Sequence, residues 1–152
     1  MFKGSIPALV TPLRGDGAID LEAWDRLLDF HLAAGSDAVV VGGTTGESPA
    51  LERSELEELI RRARQRLAGR IPLIAGSGTA GTAKSIALSK AAEAAGADAL
   101  LVVTPYYNRP TQEGLFQHFT AIADAVRIPL VLYNVPGRTA CDLLPETIAR
   151  LS

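Results

Sequence analysis

The chain has 152 residues, of which 47% are hydrophobic, 21% are charged and only 5% are aromatic. This composition is typical of a globular domain, and the length allows one hydrophobic core to form. A net charge of −2 argues against nucleic acid and membrane surfaces as partners, because both attract strongly basic proteins. With a single cysteine, Cys141, and no signal-peptide pattern in residues 1–13, we expect a cytoplasmic protein.

Short apolar runs alternate along the chain with longer segments of helical period, a pattern typical of α/β folds with a parallel sheet. We predict strands at Ser5–Val10, Ala38–Val41, Leu73–Ala75, Ala99–Val103 and Leu130–Tyr133. We predict helices at Leu21–Ala34, from Ser54 onward, at Thr82–Ala95, at Gln112–Ala125 and from Pro145 onward. Asp20 is the expected N-cap of the first helix, and residues 54–57 (Ser-Glu-Leu-Glu) have the pattern of a capping box for the second.

The connections from helix to strand repeat along the chain. Residues 34–38 (Ala-Gly-Ser-Asp-Ala) and 95–99 (Ala-Gly-Ala-Asp-Ala) are near copies, and they lie roughly 60 residues apart, which is the length of two βα units. Such units indicate that residues 1–152 form a partial (β/α)8 (TIM) barrel domain, with about five of the eight units present. A five-stranded, doubly wound open sheet is the alternative.

Residues 76–81 (Gly-Ser-Gly-Thr-Ala-Gly) match the glycine pattern of dinucleotide-binding loops. Such a site also needs an acidic residue at the tip of the next strand, whereas Asp98 precedes that strand. We therefore interpret the glycines as a closely packed turn between strand and helix and predict no cofactor. His31 and His118 lie in helical patterns without a second metal ligand at a useful spacing, so no metal site is predicted.

Four polar motifs follow directly after predicted strands. They are residues 43–48 (GTTGES), 76–79 (GSGT), 104–108 (TPYYN) and 133–139 (YNVPGRT). Because the carboxyl ends of parallel strands meet at one edge of the sheet, these motifs predict one functional site assembled from several loops.

Two of these motifs, residues 43–48 and 133–136, resemble the pyruvate-dependent class I aldolase family of dihydrodipicolinate synthases and N-acetylneuraminate lyases. Residues 104–110 and 137–139 are most similar to the synthase branch, and the similarity runs from Phe2 to Ser152, the first half of the family's barrel. It implies a lyase of lysine and diaminopimelate biosynthesis. Pyruvate would form a Schiff base and condense with L-aspartate 4-semialdehyde to 4-hydroxy-tetrahydrodipicolinate.

The resemblance also implies roles for individual residues. Thr44, Tyr107 and Tyr133 would form a proton relay, with Tyr107 reaching across a subunit interface and Tyr133 donating a proton to the carbinolamine. Thr45 would hold the carboxylate of pyruvate. Arg138 would bind the carboxylate of the semialdehyde, a task suited to a planar guanidinium. The complete enzyme would be a homo-oligomer, a dimer of dimers.

The family's Schiff-base lysine belongs on the sixth strand, past Ser152. The lysines of this sequence, Lys3, Lys84 and Lys90, do not lie at the carboxyl end of any predicted strand. We therefore expect residues 1–152 alone to be inactive. The alternatives are a sister lyase that acts on N-acetylneuraminate or a keto-deoxy sugar acid, and a non-catalytic half barrel for binding or assembly.

A second implication concerns regulation. Family members inhibited by lysine bind it with a carboxylate at the position of Lys84, an amide at Ala80 and an imidazole at Arg53, beside Tyr106 and Ser48. A lysine ammonium would be repelled by the cations that this sequence places there. We expect weak or no inhibition by lysine.

Overall fold

The computed structural model describes residues 2–152. A parallel sheet of four strands lies at its centre, formed by β1 (Val39–Val41), β2 (Leu73–Gly76), β3 (Ala99–Val103) and β4 (Leu130–Tyr133). The long helices are α1 (Leu21–Ala33), α2 (Arg53–Leu67), α3 (Thr82–Ala95) and α4 (Gln112–Ala123). A 3-10 turn (Ser48–Ala50) and the short helices α5 (Pro136–Thr139) and α6 (Pro145–Leu151) complete the chain.

The strands are hydrogen-bonded in the order β1-β2-β3-β4, which is also their order along the chain. Every pairing is parallel, with Val40 opposite Ile74 and Leu101 opposite Val131. A doubly wound sheet reverses its strand order at a switch point, and this sheet contains no such reversal. The barrel interpretation is therefore confirmed, and the open-sheet alternative is wrong.

The predicted strand Ser5–Val10 is wrong as a regular strand, because the segment forms only an isolated parallel bridge between Ala8 and Val40. It still runs beside β1. The Leu9 N–H donates to the Val40 carbonyl at 2.9 Å, and the Val40 N–H donates to the Pro7 carbonyl at 2.9 Å. Pro7 has no N–H to add to the ladder, so the pairing stays local.

The helix boundaries follow the sequence signals with two corrections. The Asp20 carboxylate caps α1, as predicted, by accepting the Ala23 N–H at 2.8 Å. The capping box of α2 is formed by Glu52 and Glu55, not by residues 54–57, and the Glu52 N–H donates to the Glu55 carboxylate at 2.8 Å. Helix α4 ends at Ala123, two residues before the predicted end, because residues 124–126 form a tight turn.

The repeated connections have one structural role. The Asp37 carboxylate accepts the N–H of Ser5 at 2.7 Å, and the Asp98 carboxylate accepts the N–H of Leu73 at 2.9 Å. In each case the aspartate precedes one strand and binds the start of the neighbouring segment, which is residues 5–10 for Asp37 and β2 for Asp98. Arg64 of α2 also binds Asp98, at 3.0 Å. The near-copies in sequence therefore fix the amino ends of adjacent strands.

The two faces of the sheet pack against different partners. Val39 and Val41 of β1 lie in the main core with Trp24 of α1 and Phe119 of α4. The intervening Val40 faces the other side, in a smaller cluster of residues on the inner face of the partial barrel (Ala38, Ile74, Ala99, Phe2, Ile6 and Leu101). Within residues 2–152, none of the helices is long and apolar enough to cross a lipid bilayer.

Candidate active site

A cavity of about 230 Å³ lies at the carboxyl ends of β1 to β4. Each strand contributes to it through the loop that follows, so all four polar motifs meet there. The lining residues are Gly42, Gly43, Thr44, Ser48, Pro49, Gly76, Ser77, Gly78, Leu101, Val103, Tyr106, Tyr133, Val135, Arg138 and Thr139. The loops that follow the four strands therefore lie together around one cavity.

Glycines form the floor of this cavity because backbones approach too closely there for a side chain. A Cβ atom at Gly76 would lie 1.9 Å from the Gly42 carbonyl oxygen, and one at Gly78 would lie 2.3 Å from the Val103 nitrogen. Gly81 has open space instead. The first two glycines of residues 76–81 are therefore required by close packing of the backbone at the carboxyl ends of the strands, in agreement with the interpretation from the sequence.

Three of the predicted site residues line the cavity: Thr44, Tyr133 and Arg138. Tyr133 is the last residue of β4 and is half-buried, whereas Thr44 and Arg138 are exposed at the rim. Within residues 2–152 the Arg138 guanidinium has no ion-pair partner. The cavity thus combines a hydroxyl, a phenol and an unneutralised cation, which suits an anionic ligand that undergoes proton transfer.

The other two predicted residues do not line the cavity. Thr45 is exposed in the turn after β1. Tyr107 is 90% exposed and has a left-handed backbone with φ of +71°. A non-glycine residue in this region costs about 1–2 kcal/mol, so the loop that presents Tyr107 to solvent is locally strained. The neighbouring Tyr106 lines the cavity instead.

The apolar part of the lining was not singled out from the sequence. Leu101 and Val103 face the cavity, and Val102 between them is fully buried in the main core. Successive residues of a strand point to opposite faces, so the alternation within β3 was the signal available. Val135 comes from the loop after β4, where no such periodicity exists.

The cysteine, the histidines and the lysines of the described residues do not line the cavity. Cys141 is buried, and burial raises the pKa of its thiol, with a smaller contribution from Asp142. His31 shares a hydrogen bond with Ser36 at 3.0 Å. Lys84 and Lys90 lie on α3 and do not line the cavity, and neither does Lys3. Residues 2–152 contain no group of three histidine, cysteine or carboxylate side chains arranged to hold a metal ion.

Comparison with known proteins places this geometry in a family. The model of the Dihydrodipicolinate synthetase family matches residues 1–152. The chain belongs to this family. The 4-hydroxy-tetrahydrodipicolinate synthases of Pseudomonas savastanoi pv. phaseolicola and Nitrosococcus oceani are 59% and 60% identical to it over 152 residues.

A solved structure of the family has the same architecture. The chloride-inhibited dihydrodipicolinate synthase from Acinetobacter baumannii, complexed with pyruvate, superimposes with a TM-score of 0.98 at 49% identity. The match covers 99% of this chain and 52% of that one. The chain also spans 52% of each of the two curated relatives. The fold described here therefore corresponds to the amino-terminal half of the dihydrodipicolinate synthase barrel.

Proposed function

We propose that residues 1–152 supply the substrate-binding and proton-transfer half of a 4-hydroxy-tetrahydrodipicolinate synthase. The substrates are pyruvate and L-aspartate 4-semialdehyde, and the reaction takes place in the cytoplasm. The observation that carries this proposal is the convergence of Thr44, Tyr133 and Arg138 on one cavity. The sister-lyase alternative fits less well, because the aldehyde portion of its substrate is a polyhydroxy sugar that offers Arg138 no carboxylate beyond that of pyruvate.

The chemistry begins at the carbonyl of pyruvate. A lysine amine, contributed by the half of the barrel that relatives carry beyond this sequence, attacks C2 to form a carbinolamine. Tyr133 donates a proton to the departing hydroxyl, and water leaves as the imine forms. Loss of a proton from C3 gives the enamine, whose C3 then bonds to the aldehyde carbon of the semialdehyde while the aldehyde oxygen takes up a proton. The amino group of the former semialdehyde then attacks C2 and displaces the lysine amine, which closes the ring of 4-hydroxy-tetrahydrodipicolinate and frees the lysine.

The remaining residues hold the substrates and move protons. Thr45 follows the lining residue Thr44 and binds the carboxylate of pyruvate at the edge of the cavity, although it does not line the cavity in the structure. Arg138 binds the carboxylate of the semialdehyde from the rim. Thr44 connects Tyr133 to Tyr107 of a second copy, so each site is completed by its neighbour. The nearly full exposure of Tyr107 in a strained loop supports this role, because burial against another subunit would stabilise that conformation.

The proposal is tested by joining residues 1–152 to the remaining sequence of the Pseudomonas savastanoi relative. We call this protein the chimera. Borohydride reduction in the presence of pyruvate traps an imine as a stable adduct that mass spectrometry detects. We expect an adduct and condensation activity for the chimera, and neither for residues 1–152 alone.

A matched pair of variants then tests the assignment of Arg138. Arg138→Gln in the chimera is expected to leave the pyruvate adduct intact and to abolish condensation with the semialdehyde. Arg26→Gln serves as the control, because Arg26 is also exposed but lies on α1, outside the cavity. A chimera that forms no imine would overturn the proposed function. Unchanged condensation in Arg138→Gln would remove only the role of Arg138.

A further inference from the structure

We propose that Thr139 is the positioning residue that fixes Arg138 at the rim of the cavity and thereby sets the affinity for the carboxylate-bearing aldehyde. The inference rests on the proposed function. It concerns α5, the single helical turn that carries Arg138 as its third residue and Thr139 as its last.

The turn cannot hold its own conformation. A helix of four residues forms too few hydrogen bonds to offset the cost of nucleating it. The N–H groups of Arg138 and Thr139 both donate to the Val135 carbonyl, at 2.9 and 3.1 Å. The next residue, Ala140, is left-handed with φ of +54°. Contacts from outside the turn must therefore determine where Arg138 lies.

The hydroxyl of Thr139 provides buried contacts to both flanks of the turn and to Thr104, while Arg109 makes an exposed contact to the Ala140 carbonyl at 3.4 Å. The side chain is buried, with 2% of its surface exposed. The hydroxyl shares its proton between the carbonyls of Cys141 and Val135, at 2.9 and 3.2 Å. It accepts the Cys141 N–H at 3.3 Å and the hydroxyl of Thr104 at 3.3 Å. A threonine hydroxyl has one donor and two acceptor positions, and Thr139 uses all of them.

Thr104 connects the hydroxyl of Thr139, the anchor of the turn, to the backbone of Tyr133. It is fully buried after β3, and its N–H donates to the carbonyl of Tyr133 at 3.0 Å. One residue thus binds the backbone of Tyr133 and the side chain next to Arg138. The Thr104 and Thr139 pair therefore connects the end of β4 to the turn that carries Arg138.

The consequence for binding follows from the geometry of Arg138. Its side chain is exposed, so the backbone of the turn is what directs it. Bidentate binding of a carboxylate by a guanidinium requires a defined approach, and displacement of about 1 Å in a positioning group lowers catalytic rates by as much as 100-fold. Losing the anchor should weaken binding of the aldehyde more than binding of pyruvate, because pyruvate does not use Arg138.

The kinetic test compares Thr139→Val with Thr139→Ser in the chimera. Valine keeps the shape and removes the hydroxyl, whereas serine keeps the hydroxyl. We expect Thr139→Val to raise KM for aspartate semialdehyde by about tenfold, within the range of up to about 100-fold that misplacing a positioning group can cause, with KM for pyruvate and imine trapping unchanged. Thr139→Ser should stay within about twofold of the parent.

Thr147→Val is the control for a general effect of removing a buried hydroxyl. Thr147 lies on α6, away from the cavity, and is 3% exposed. Its hydroxyl donates to the side-chain oxygen of Gln112 on α4 at 2.6 Å. Thr147→Val should leave both KM values unchanged. The proposal would be overturned if Thr139→Val and Thr139→Ser had equal KM values for aspartate semialdehyde. It would also be overturned if Thr139→Val raised the KM for pyruvate as much as the KM for aspartate semialdehyde.

A second measurement uses residues 1–152 as they are and needs no activity. Amide hydrogen exchange of Arg138 and Thr139 should become about tenfold faster in Thr139→Val than in the parent and stay unchanged in Thr139→Ser. Unchanged exchange in Thr139→Val would overturn the anchor directly. An inactive parent chimera would overturn the proposed function, while the exchange experiment would still decide whether Thr139 fixes the turn.

Discussion

The imidazole of His118 lies between α3 and α4 with only 4% of its surface exposed. Its Nδ1 shares a hydrogen bond of 2.9 Å with the Thr82 hydroxyl, and its Nε2 is buried without a hydrogen-bond partner within residues 2–152. Burial lowers the pKa of His118 below its usual value of 6.5, because an imidazolium there would lose its hydration. The fold therefore favours the neutral form of this residue.

This gives a prediction for stability against pH. In the unfolded chain His118 takes up a proton near pH 6.5, whereas in the folded chain it resists protonation. The free energy of unfolding should therefore fall as the pH decreases below about 6.5, by at most about 1.4 kcal/mol per pH unit. Urea denaturation of residues 1–152 at several pH values should show this slope.

His118→Gln should flatten the pH dependence, because glutamine does not titrate and can retain the bond to Thr82. His31→Gln is the matched control, since His31 is only partly buried and is bonded to Ser36 near the protein surface. A slope that persists in His118→Gln, or disappears in His31→Gln, would show that another group is responsible.

At the scale of secondary structure, the sequence predicts those helices and strands that are determined by residues close together in the chain. The five predicted helices and four of the five predicted strands are present. The errors arise where contacts distant in sequence decide the outcome. The segment of residues 5–10 has strand composition, but it pairs with β1 at one bridge only. Helix α5 is held by a buried threonine pair that no local pattern indicates.

The candidate site divides in the same way. Thr44, Tyr133 and Arg138 come from motifs at strand ends and reach the cavity as expected. Tyr106 was assigned only to the lysine site of relatives, yet it lines the cavity while Tyr107 faces solvent. Which of two adjacent tyrosines turns inward depends on the backbone angles of the loop, and the φ of +71° at Tyr107 is not readable from residue types.

The carboxylates that precede the strands give a prediction for the elements they connect. Asp98 binds the start of β2 at 2.9 Å and Arg64 of α2 at 3.0 Å. Asp98→Ala should lower the free energy of unfolding by about 1–3 kcal/mol, because the Leu73 N–H loses its acceptor. Asp124→Ala is the control, since Asp124 is an exposed residue at the end of α4. Equal stability of the two variants in urea denaturation would contradict this role.

At the scale of the whole molecule, the sheet ends in an unpaired edge at β4 within residues 2–152. β4 pairs with β3, and its other edge has no partner among residues 2–152. Its residues are all half-buried, whereas those of β1 and β2 are fully buried. An apolar groove of about 790 Å³ lies beside it, between α4, β4 and α6. In a longer relative, the next strand of the barrel can pair with this edge of β4.

Lys84 and Arg53 occupy the positions at which the resemblance implies a lysine-binding site in inhibited family members. Lys84 is exposed on α3, and the Arg53 guanidinium is bonded to Glu57 at 2.6 Å. That ion pair offsets part of the charge of Arg53 but leaves Lys84 to repel a lysine ammonium. We expect weak lysine inhibition of the chimera, and about two- to fivefold stronger inhibition in Lys84→Glu, the effect of an exposed charge pair.

Steady-state inhibition by lysine measures this difference, with Lys90→Glu as the control on an exposed part of the same helix. Lys90→Glu makes the same change in net charge, so it should leave the inhibition constant unchanged. Strong inhibition of the parent chimera would contradict the expectation. So would equal responses in the two variants.

The repeated aspartates have an evolutionary consequence. Asp37 and Asp98 fix the amino ends of the strands, whereas the cavity lies at the carboxyl ends. The two ends are separated by the length of a strand, roughly 10–17 Å, so mutations at one end leave the other in place. Exposed loop residues around the cavity can therefore change while the hydrogen bonds at the amino ends stay in place, provided that Gly76 and Gly78 are kept. Changes of substrate specificity are then expected at one end of the strands and changes of stability at the other.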